Sequence, residues 1–191
     1  MMQNLNIGIL NGGKSTRMGT PKSLLMLNGI TFAEKIYNEA IKVTPSVFFV
    51  GNAPLSDDLK KRTIIDDEGK GPLNGIKRAF EYRRGDWVFL AIDIPLITAD
   101  FINSIINNAG NKGYSIPFNR NEALYEPLCA FYNEAFLSDL FKQKEDGSLQ
   151  KLFKKMSLQG DDLLFELGQK IINPCNSIED YLKIKEITEN K

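Results

Sequence analysis

A basic, glycine-rich segment follows the first apolar run of the chain, and its residue types are suited to holding a phosphate. The apolar run covers residues 5–10. Residues 11–22 then contain three glycines together with Lys14, Arg17 and Lys22. Glycines let main-chain N–H groups approach an anion closely, and Arg and Lys neutralise its charge. A buried strand that leads into such a loop predicts a polyphosphate site.

The segment also satisfies the P-loop signature, Gly8-x-x-x-x-Gly13-Lys14-Ser15, so that class of nucleotide hydrolase has to be weighed. In a P-loop the first glycine ends the strand and a helix begins at the Lys. Here Ile9-Leu10 fit better inside the strand than around a polyphosphate. A helix from Lys14 would also reach Pro21 within two turns, where a proline costs about 3 kcal/mol. We therefore expect an open loop over residues 11–22 and disfavour the P-loop.

A carboxylate that ends a second apolar run is the best candidate for binding a metal ion. Residues 87–92 are apolar throughout, and Asp93-Ile-Pro95 follows them. Histidine is absent from the chain, which excludes His general bases, His triads and imidazole zinc sites. Any reaction must use carboxylates, Lys, Arg, backbone amides and a hard cation. Asp93 could simply cap the following turn, but its place in line with the basic loop favours a metal site.

The composition favours one α/β domain without an obvious attraction to nucleic acid or membrane. The 191 residues include 24 Lys plus Arg and 24 Asp plus Glu, so the net charge is zero. The sequence has no 18-residue apolar span and no signal-peptide pattern, so we expect a cytoplasmic protein. In that reducing compartment, Cys129 and Cys175 are expected to be buried thiols, not a disulfide or metal pair.

Alternating strand and helix patterns must position the basic loop and the carboxylate. A capping box at Thr31-Phe-Ala-Glu34 starts the first predicted helix, Pro72 is expected at the first position of a later one, and Thr98 is expected to cap the next. The predicted strands of this half are residues 5–10, 46–50, 63–66 and 87–92. The order predicts a doubly wound, mostly parallel sheet flanked by helices, in one domain, 1–191. Ligands bind beyond the carboxyl ends of such strands, so the loop, the acids at 66–68 and Asp93 should share one edge.

The second half of the chain is less regular. Strands are predicted at residues 114–117 and 125–132, with a hairpin-like excursion at 119–122 between them. Helices are predicted near 134–142 and at 148–156, the latter capped by Ser148. A strand near 170–173 and a helix from Ser177, with one apolar face, complete the prediction.

Five segments resemble a family of nucleotidyltransferases in order and spacing. Residues 10–22 are similar to the family signature Leu-Ala-Gly-Gly-x-Ser-x-Arg-Met-Gly-x-x-Lys. The other four segments are a second glycine loop (71–75), a metal-binding Asp-x-Pro (93–95), an acceptor-side Pro-Leu segment (126–132) and a C-terminal Asn-Thr-Pro-Glu-Asp (176–180). Within the family, the resemblance is to the MobA-like molybdenum cofactor guanylyltransferases.

The resemblance implies both a fold and a reaction. The fold would be the Rossmann-like nucleotidyltransferase fold, with residues 1–97 binding the nucleotide and residues 98–191 binding the acceptor. The reaction would transfer GMP from GTP to the terminal phosphate of molybdopterin, with Mg²⁺ as cofactor and release of pyrophosphate. Transient contact with the proteins that supply or accept the molybdenum cofactor is implied as well.

The resemblance also implies roles for individual residues. Arg17, Lys22 and Asp93 would be catalytic, since the two cations would hold the triphosphate and Asp93 would hold the metal. Asn176 would be a second metal ligand or an orienting group. The residues implied to bind the nucleotide are Leu10, Asn11, Gly12, Gly13, Lys22, Asp67, Gly71 and Asp93.

Some departures from the family pattern leave alternatives open. Pro21 beside Lys22 is met more often in cytidylyl-transferring relatives, whereas Gly13 and the 71–75 segment resemble the guanylyl branch. Asn11 replaces the usual Ala and puts a polar side chain near the base or ribose. A molybdenum cofactor cytidylyltransferase, another small-molecule nucleotidyltransferase of the same fold, and a nucleotide-sensing binder without catalysis are the alternatives.

Overall fold

A six-stranded sheet is built around the first apolar run of the sequence, which forms strand β1 (Leu5–Leu10). The computed structural model describes residues 4–12, 19–66, 71–143 and 148–189. The other strands are β2 (Met26–Leu27), β3 (Ile30–Thr31), β4 (Val47–Val50), β5 (Thr63–Ile64), β6 (Asp86–Ala91), β7 (Tyr114–Ser115), β8 (Phe118–Asn119), β9 (Leu124–Tyr125) and β10 (Cys129–Tyr132).

The strands of the sheet lie in the order β5-β4-β1-β6-β10-β7. β5, β4, β1 and β6 are parallel, whereas β10 pairs antiparallel with both of its neighbours. The mostly parallel sheet predicted from the sequence is therefore confirmed. β2 pairs with β3 and β8 with β9 in two small hairpins. The second hairpin encloses the polar segment 119–122, where the sequence predicts an excursion.

Helices pack on both faces of the sheet, as the doubly wound prediction requires. They are α1 (Phe32–Ala40), α2 (Asp57–Lys60), α3 (Pro72–Tyr82), α4 (Ala99–Asn108), α5 (Glu134–Leu140), α6 (Leu149–Lys155), α7 (Asp162–Gly168) and α8 (Ile178–Glu189). The predicted starts of α1, α3 and α4 are confirmed. Thr31 and Glu34 form a capping box, Pro72 is the first residue of α3, and the Thr98 hydroxyl accepts a hydrogen bond from the Phe101 amide.

Alternate residues of β1 face two different cores. Ile7 and Ile9 are buried with α1 and α4, and Leu10 is buried on the other face with α3. Each fully buried side chain of this size stabilises the fold by roughly 1.5–3 kcal/mol. A Cβ at Gly8 would lie 2.8 Å from the ring of Phe89, so this position has to be glycine. Gly8 is inside β1 and does not end the strand, which argues against the P-loop interpretation.

The segment after α6 differs from the prediction. The sequence pattern predicts a strand near residues 170–173, but the structure has α7 followed by turns. The Asp161 side chain caps α7 by accepting a hydrogen bond of 2.9 Å from the Leu164 amide. Ile172 is 5% exposed and packs in the core, so its apolar character reflects packing and not strand pairing. Short apolar runs do not distinguish these two cases.

Two helix predictions for the C-terminal half are wrong in part. Helix α8 is present, but its predicted apolar face is not buried as a unit. Ile184 is 5% exposed, whereas Leu182 and Ile187 are 57% and 51% exposed. Ser148 occupies the N-cap of α6, yet its side chain makes no hydrogen bond to the described part of that helix.

The sequence also predicts that both cysteines are buried thiols and that the chain has no membrane-spanning segment. Cys129 and Cys175 are free and buried, which confirms the prediction of ordinary thiols. Burial raises the pKa of the Cys175 thiol to about 11, so this group is neutral at pH 7. Within the described ranges, no helix combines the length and the apolar character needed to cross a membrane.

Candidate functional site

The carboxyl ends of the parallel strands meet at one edge of the sheet, and the candidate site lies there. Leu10 pairs with Val50 of β4 and with Ala91 of β6, so the three strands end at the same level. Asn11 follows the first of these ends and Asp93 the last, as predicted. β10 runs in the opposite direction and therefore begins at this edge.

Three side chains that are distant in sequence meet at this edge. The Lys22 Nζ atom lies 2.9 Å from Asp93 Oδ2 and 2.6 Å from Asn176 Oδ1. The side chains of Lys22 and Asp93 are 17% and 22% exposed, so the ion pair is half-buried but open to solvent. The structure thus brings together the predicted phosphate-binding cation and the two predicted metal ligands.

The position of Lys22 is fixed by hydrogen bonds to the loop after β4. Lys22 begins a short 3-10 helix that ends at Leu24. The buried hydroxyl of the next residue, Ser23, donates a hydrogen bond of 2.6 Å to the Pro54 carbonyl. One residue earlier in the same loop, Ala53 exchanges two hydrogen bonds with Asn11, each of 3.1 Å. Both ends of the 12–22 segment are therefore attached to residues 53 and 54.

These bonds show how the Asn11 side chain is held. The Asn11 side chain is 1% exposed, and its amide nitrogen donates to the Ala53 carbonyl. Its Oδ1 atom is buried without a hydrogen-bond partner among the described residues. Asn11 therefore attaches the end of β1 to the loop after β4. Its contact with a base or ribose stays a prediction.

The Ser23→Ala variant tests whether the loop attachment positions Lys22. Loss of this buried hydrogen bond leaves the Pro54 carbonyl unsatisfied and should lower the free energy of unfolding by about 1–2 kcal/mol. We also expect a higher KM for the nucleotide, because Lys22 adjoins Ser23. Urea denaturation and nucleotide KM are the measurements. Ser104→Ala is the control, since its exposed hydroxyl bonds within α4. An unchanged KM would show that Ser23 acts on stability alone.

Asn176 is positioned by the chain on either side of it. The Cys175 amide donates a hydrogen bond of 2.8 Å to the Asp93 carbonyl, which ties the two metal-ligand candidates together through the backbone. The Cys175 side chain lies in a small core with Leu27, Phe32 and Ile184. This core attaches the start of α8 to the sheet edge.

The turn at Asn176 also caps α8. Asp180 Oδ2 accepts hydrogen bonds from the amides of Asn176 (3.0 Å) and Ser177 (2.9 Å), and the Ser177 hydroxyl accepts one from the Asp180 amide. The bond from the Asn176 amide is the main reason that the pKa of Asp180 lies below its ordinary value. The reciprocal pair is a capping box, and it holds the Asn176 backbone still while its amide side chain points to Lys22.

The oxygen atoms around the Lys22 ammonium group suit a hard cation. Asp93 Oδ2 and Asn176 Oδ1 already accommodate one positive charge between them. Among the described residues, no group of three or more His, Cys, Asp or Glu could hold a metal ion. Mg²⁺ does not need such a cage, because it is commonly bound by one or two protein carboxylates, substrate phosphates and water. Asp93 and Asn176 could therefore hold Mg²⁺ together with a nucleotide.

A second group of residues lies further along the same edge, beyond β1. Gly71 is the N-cap of α3 with φ of 85°, a conformation that favours glycine, and no side chain among the described residues caps this helix. Asp66 accepts a hydrogen bond of 2.5 Å from the Asn74 side chain. A Cβ on Gly75 would lie 3.5 Å from Asp66 Oδ2 and 2.8 Å from Leu10 Cδ2, so these residues adjoin one another. They could border a nucleoside, a role that the sequence motifs do not give to Asp66.

Several predicted site residues lie outside the described residues. These are Gly13, Lys14, Arg17 and Asp67. Of the remaining nucleotide-binding candidates, Leu10 is buried in a core and Gly12 is exposed, with open space where a Cβ would be. Leu10 could therefore contact a base through its backbone, at the end of β1, and not through its side chain.

Glu126 is the first residue of the acceptor-side segment 126–132, but the sequence pattern assigns it no individual role. It lies three residues before β10, and the reversed direction of this strand brings it to the same edge as Asp93. Burial, together with the charges of Asp93 and Glu122, raises the pKa of the Glu126 carboxyl from 4.5 to about 7. Within the described ranges, this carboxylate has no hydrogen bond and no ion pair.

The raised pKa of Glu126 predicts a pH-dependent stability. Between about pH 4.5 and pH 7 the unfolded chain binds fewer protons at this site than the native protein, so stability falls as the pH rises. Glu126→Gln should remove this fall in stability, because glutamine cannot ionise. In metal-free buffer at pH 8 we expect the variant to be more stable by about 1–2 kcal/mol, after allowance for partial exposure, and equal to the parent near pH 4. Denaturant unfolding at several pH values measures this.

The exposed Glu186 offers the control for the stability measurement. Glu186→Gln should leave the pH profile unchanged, because this side chain lies on the surface, away from the cavity that Glu126 lines. An equal stability of the Glu126→Gln variant and the parent at pH 8 would contradict the burial argument.

Known proteins with similar sequences indicate the family to which this chain belongs. The family model of the MobA-like NTP transferase domain matches residues 7–161. A protein from Carboxydothermus hydrogenoformans, named probable molybdenum cofactor guanylyltransferase, is 30% identical over 136 residues, which cover 70% of this chain and 68% of the relative. A protein of the same name from Bacillus cereus is 25% identical over 196 residues, with 96% of each chain covered.

Solved structures show the same fold. The crystal structure of molybdopterin-guanine dinucleotide biosynthesis protein A from Archaeoglobus fulgidus superposes with a TM-score of 0.72. It is 23% identical, and the match covers 97% of this chain and 100% of the other. At this level of identity the likeness supports the fold alone, and the fold predicted from the sequence is the one found.

Proposed function

Because the chain belongs to the MobA-like NTP transferase family and is a nucleotidyltransferase, we propose that it transfers GMP from GTP to the terminal phosphate of molybdopterin. Pyrophosphate is the second product. The acceptor and the guanine base are taken from the names of the relatives and from the sequence motifs. Transient contact with proteins that supply or accept the molybdenum cofactor is part of the same proposal.

One observation of the structure carries the reaction chemistry of this proposal. Lys22 Nζ lies between Asp93 Oδ2 and Asn176 Oδ1 at the carboxyl edge of the sheet. A triphosphate requires cations, and a metal-bound triphosphate also requires oxygen ligands beside them. The cluster supplies both kinds of group at one place, next to the end of β1.

In the proposed step, an oxygen of the acceptor's terminal phosphate attacks the α-phosphorus of GTP. The new P–O bond forms as the bond to the β-phosphate breaks, so the product contains a new phosphoanhydride and pyrophosphate leaves with the electron pair. The protein takes part in no covalent bond. Its contribution is to position two anions and to neutralise the charge that develops between them.

We assign the described residues two different roles in this step, phosphate binding and metal binding. Lys22 would turn from Asp93 to the phosphates and neutralise the pyrophosphate that leaves. Asp93 and Asn176 would hold Mg²⁺, which supplies charge stabilisation to the phosphate oxygens when bound. Arg17 and the amides around Gly13, outside the described residues, would complete the phosphate site on the basis of the family motif.

Thermal denaturation with GTP, CTP, ATP and UTP in the presence of Mg²⁺ tests the choice of base. A ligand that binds the native state raises its melting temperature, by an amount that grows with its concentration over Kd. We expect GTP to give the largest shift. A response to CTP alone would assign the chain to the cytidylyl branch, to which Pro21 beside Lys22 points.

Pyrophosphate release tests the reaction class. A transferase should release pyrophosphate from GTP when molybdopterin is added and not in its absence, because the acceptor phosphate is the nucleophile. Phosphate or pyrophosphate release without acceptor would indicate a hydrolase. A nucleotide that binds but releases nothing with the acceptor present would indicate a sensing protein.

A further inference from the structure

A cavity of about 350 Å³ opens beside Asp93, on the β10 side of the sheet edge. It lies between Asp93 and Gln150 and includes the Glu126 side chain. Its remaining walls are mainly apolar. They are contributed by Ile94, Leu124, Pro127, Leu128, Ile172 and Pro174. A cavity of this size with mainly apolar walls and two carboxylates, those of Asp93 and Glu126, has the features of a small-molecule site.

The backbone around Glu126 is held on both sides. The Glu126 amide donates to the Pro117 carbonyl (2.8 Å), and the Glu126 carbonyl accepts from the Cys129 amide (3.1 Å). The Gln150 side chain forms two hydrogen bonds with the Tyr125 backbone: its oxygen accepts one from the Tyr125 amide, and its nitrogen donates one to the Tyr125 carbonyl. The Gln150 amide is thereby engaged, and Asp93 is paired with Lys22. Of the acids in the described lining, Glu126 is therefore the one without an ion pair or side-chain hydrogen bond to another described residue.

The chemistry of the cavity selects the kind of ligand. A partly buried carboxylate without a partner is costly unless a ligand supplies hydrogen bonds. Asp93 and Glu122 are the acids nearest to Glu126, so a second anion is disfavoured at this end. A carboxylate has two acceptor oxygens and no donor, which fits a ring edge with two adjacent N–H groups. The apolar walls fit the faces of a planar heterocycle.

The order of strands places this cavity on the opposite side of Asp93 from the nucleoside candidates. Asp66 follows β5 and Gly12 follows β1, whereas Glu126 precedes β10. In the sheet, β6 lies between β1 and β10, and Asp93 follows β6. Groups that bind beyond β1 and beyond β10 would therefore meet at Asp93 and Lys22. A transferase needs its donor and acceptor phosphates to meet in this way.

We propose that Glu126 binds the ring of the acceptor by accepting two hydrogen bonds from adjacent ring N–H groups, and so selects a 2-amino-4-oxo heterocycle of the pterin type. This inference rests on the proposed function, because it takes molybdopterin as the acceptor. Glu126 is then a specificity residue of the acceptor half, separate from the residues that hold the phosphates.

Binding of two free heterocycles tests the proposal without turnover. The probes are 6-hydroxymethylpterin, which has the 2-amino group, and lumazine, in which a carbonyl replaces it. We expect the parent protein to bind the pterin at least ten times more tightly than lumazine, measured by quenching of pterin fluorescence and by calorimetry. Glu126→Gln should lose about tenfold or more in pterin affinity, since an amide replaces one acceptor by a donor.

Glu186→Gln is the matched control, because Glu186 is an exposed acid on α8 outside the cavity lining. It should bind the pterin as the parent does. The melting-temperature shift with GTP should be the same for the parent and both variants. That result would show that Glu126 contributes to acceptor binding and not to nucleotide binding.

Several results would overturn the proposal. These are no pterin binding by the parent, equal binding of pterin and lumazine, unchanged pterin affinity of Glu126→Gln, or loss of GTP or Mg²⁺ binding in that variant with pterin binding retained. The proposed function fails separately, if GTP gives no thermal shift and molybdopterin elicits no pyrophosphate release. Pterin binding is measured without nucleotide, so the two failures are distinguishable.

Discussion

Asp93→Asn is expected to lower kcat for nucleotidyl transfer by about 10³-fold, while the protein folds with nearly unchanged stability. The Asn side chain can still accept a hydrogen bond from Lys22, but it removes the negative charge that a metal ion and its phosphates require. We also expect the Mg²⁺ concentration for half-maximal activity to rise steeply. Acceptor-dependent pyrophosphate release over a Mg²⁺ series measures both effects.

Asp58→Asn is the control for this variant. Asp58 is 94% exposed and pairs with Lys61 on the surface of α2, so its charge can be removed without effect on the site. The control should retain parental activity and Mg²⁺ dependence. An Asp93→Asn variant with kcat within tenfold of the parent, or with an unchanged Mg²⁺ requirement, would remove Asp93 from the chemistry.

Lys22→Met is expected to lower kcat/KM for the nucleotide by about 10²–10³-fold. Methionine keeps much of the length of the side chain but cannot neutralise a phosphate oxygen, and it leaves Asp93 without its cation. Lys22→Arg should recover only part of the activity, because a planar guanidinium does not fit where one ammonium now contacts two oxygens. Steady-state kinetics with the nucleotide varied at saturating acceptor measures these values.

Lys60→Met is the matched control, since Lys60 is exposed and forms a surface ion pair with Asp57. Its kinetics should equal those of the parent. Full recovery by Lys22→Arg would show that charge alone matters at this position. Unchanged kcat/KM in Lys22→Met would exclude Lys22 from phosphate binding.

Local sequence signals predicted most of the first half of the fold. The apolar run at residues 5–10 forms β1 at the predicted bounds, and the capping box at Thr31 and Glu34 starts α1 as predicted. Asp93 could be placed at the sheet edge because it directly follows a buried strand. Signals of this kind are short in range, and the parallel arrangement then determines which strand ends are neighbours.

Contacts between distant parts of the chain could not be predicted from such local patterns. Lys22 and Asn176 are 154 residues apart, and their contact depends on the small core around Cys175. The direction of β10 is set by its pairing with β6 and cannot be read from its apolar pattern. The resemblance therefore placed Glu126 in the acceptor-side segment, but the sequence did not predict that it lies at the same edge as Asp93. The hydrogen bond between Asn11 and Ala53 was not predicted either, because it also joins distant parts of the chain.

A crystal structure with Mn²⁺ and a GTP analogue that has a methylene bridge between the α- and β-phosphorus atoms tests the central claim most directly. We predict an anomalous manganese peak bound to the Asp93 carboxylate, with Lys22 Nζ moved from Asp93 to a phosphate oxygen. A triphosphate and manganese bound elsewhere, with Lys22 still between Asp93 and Asn176, would contradict it.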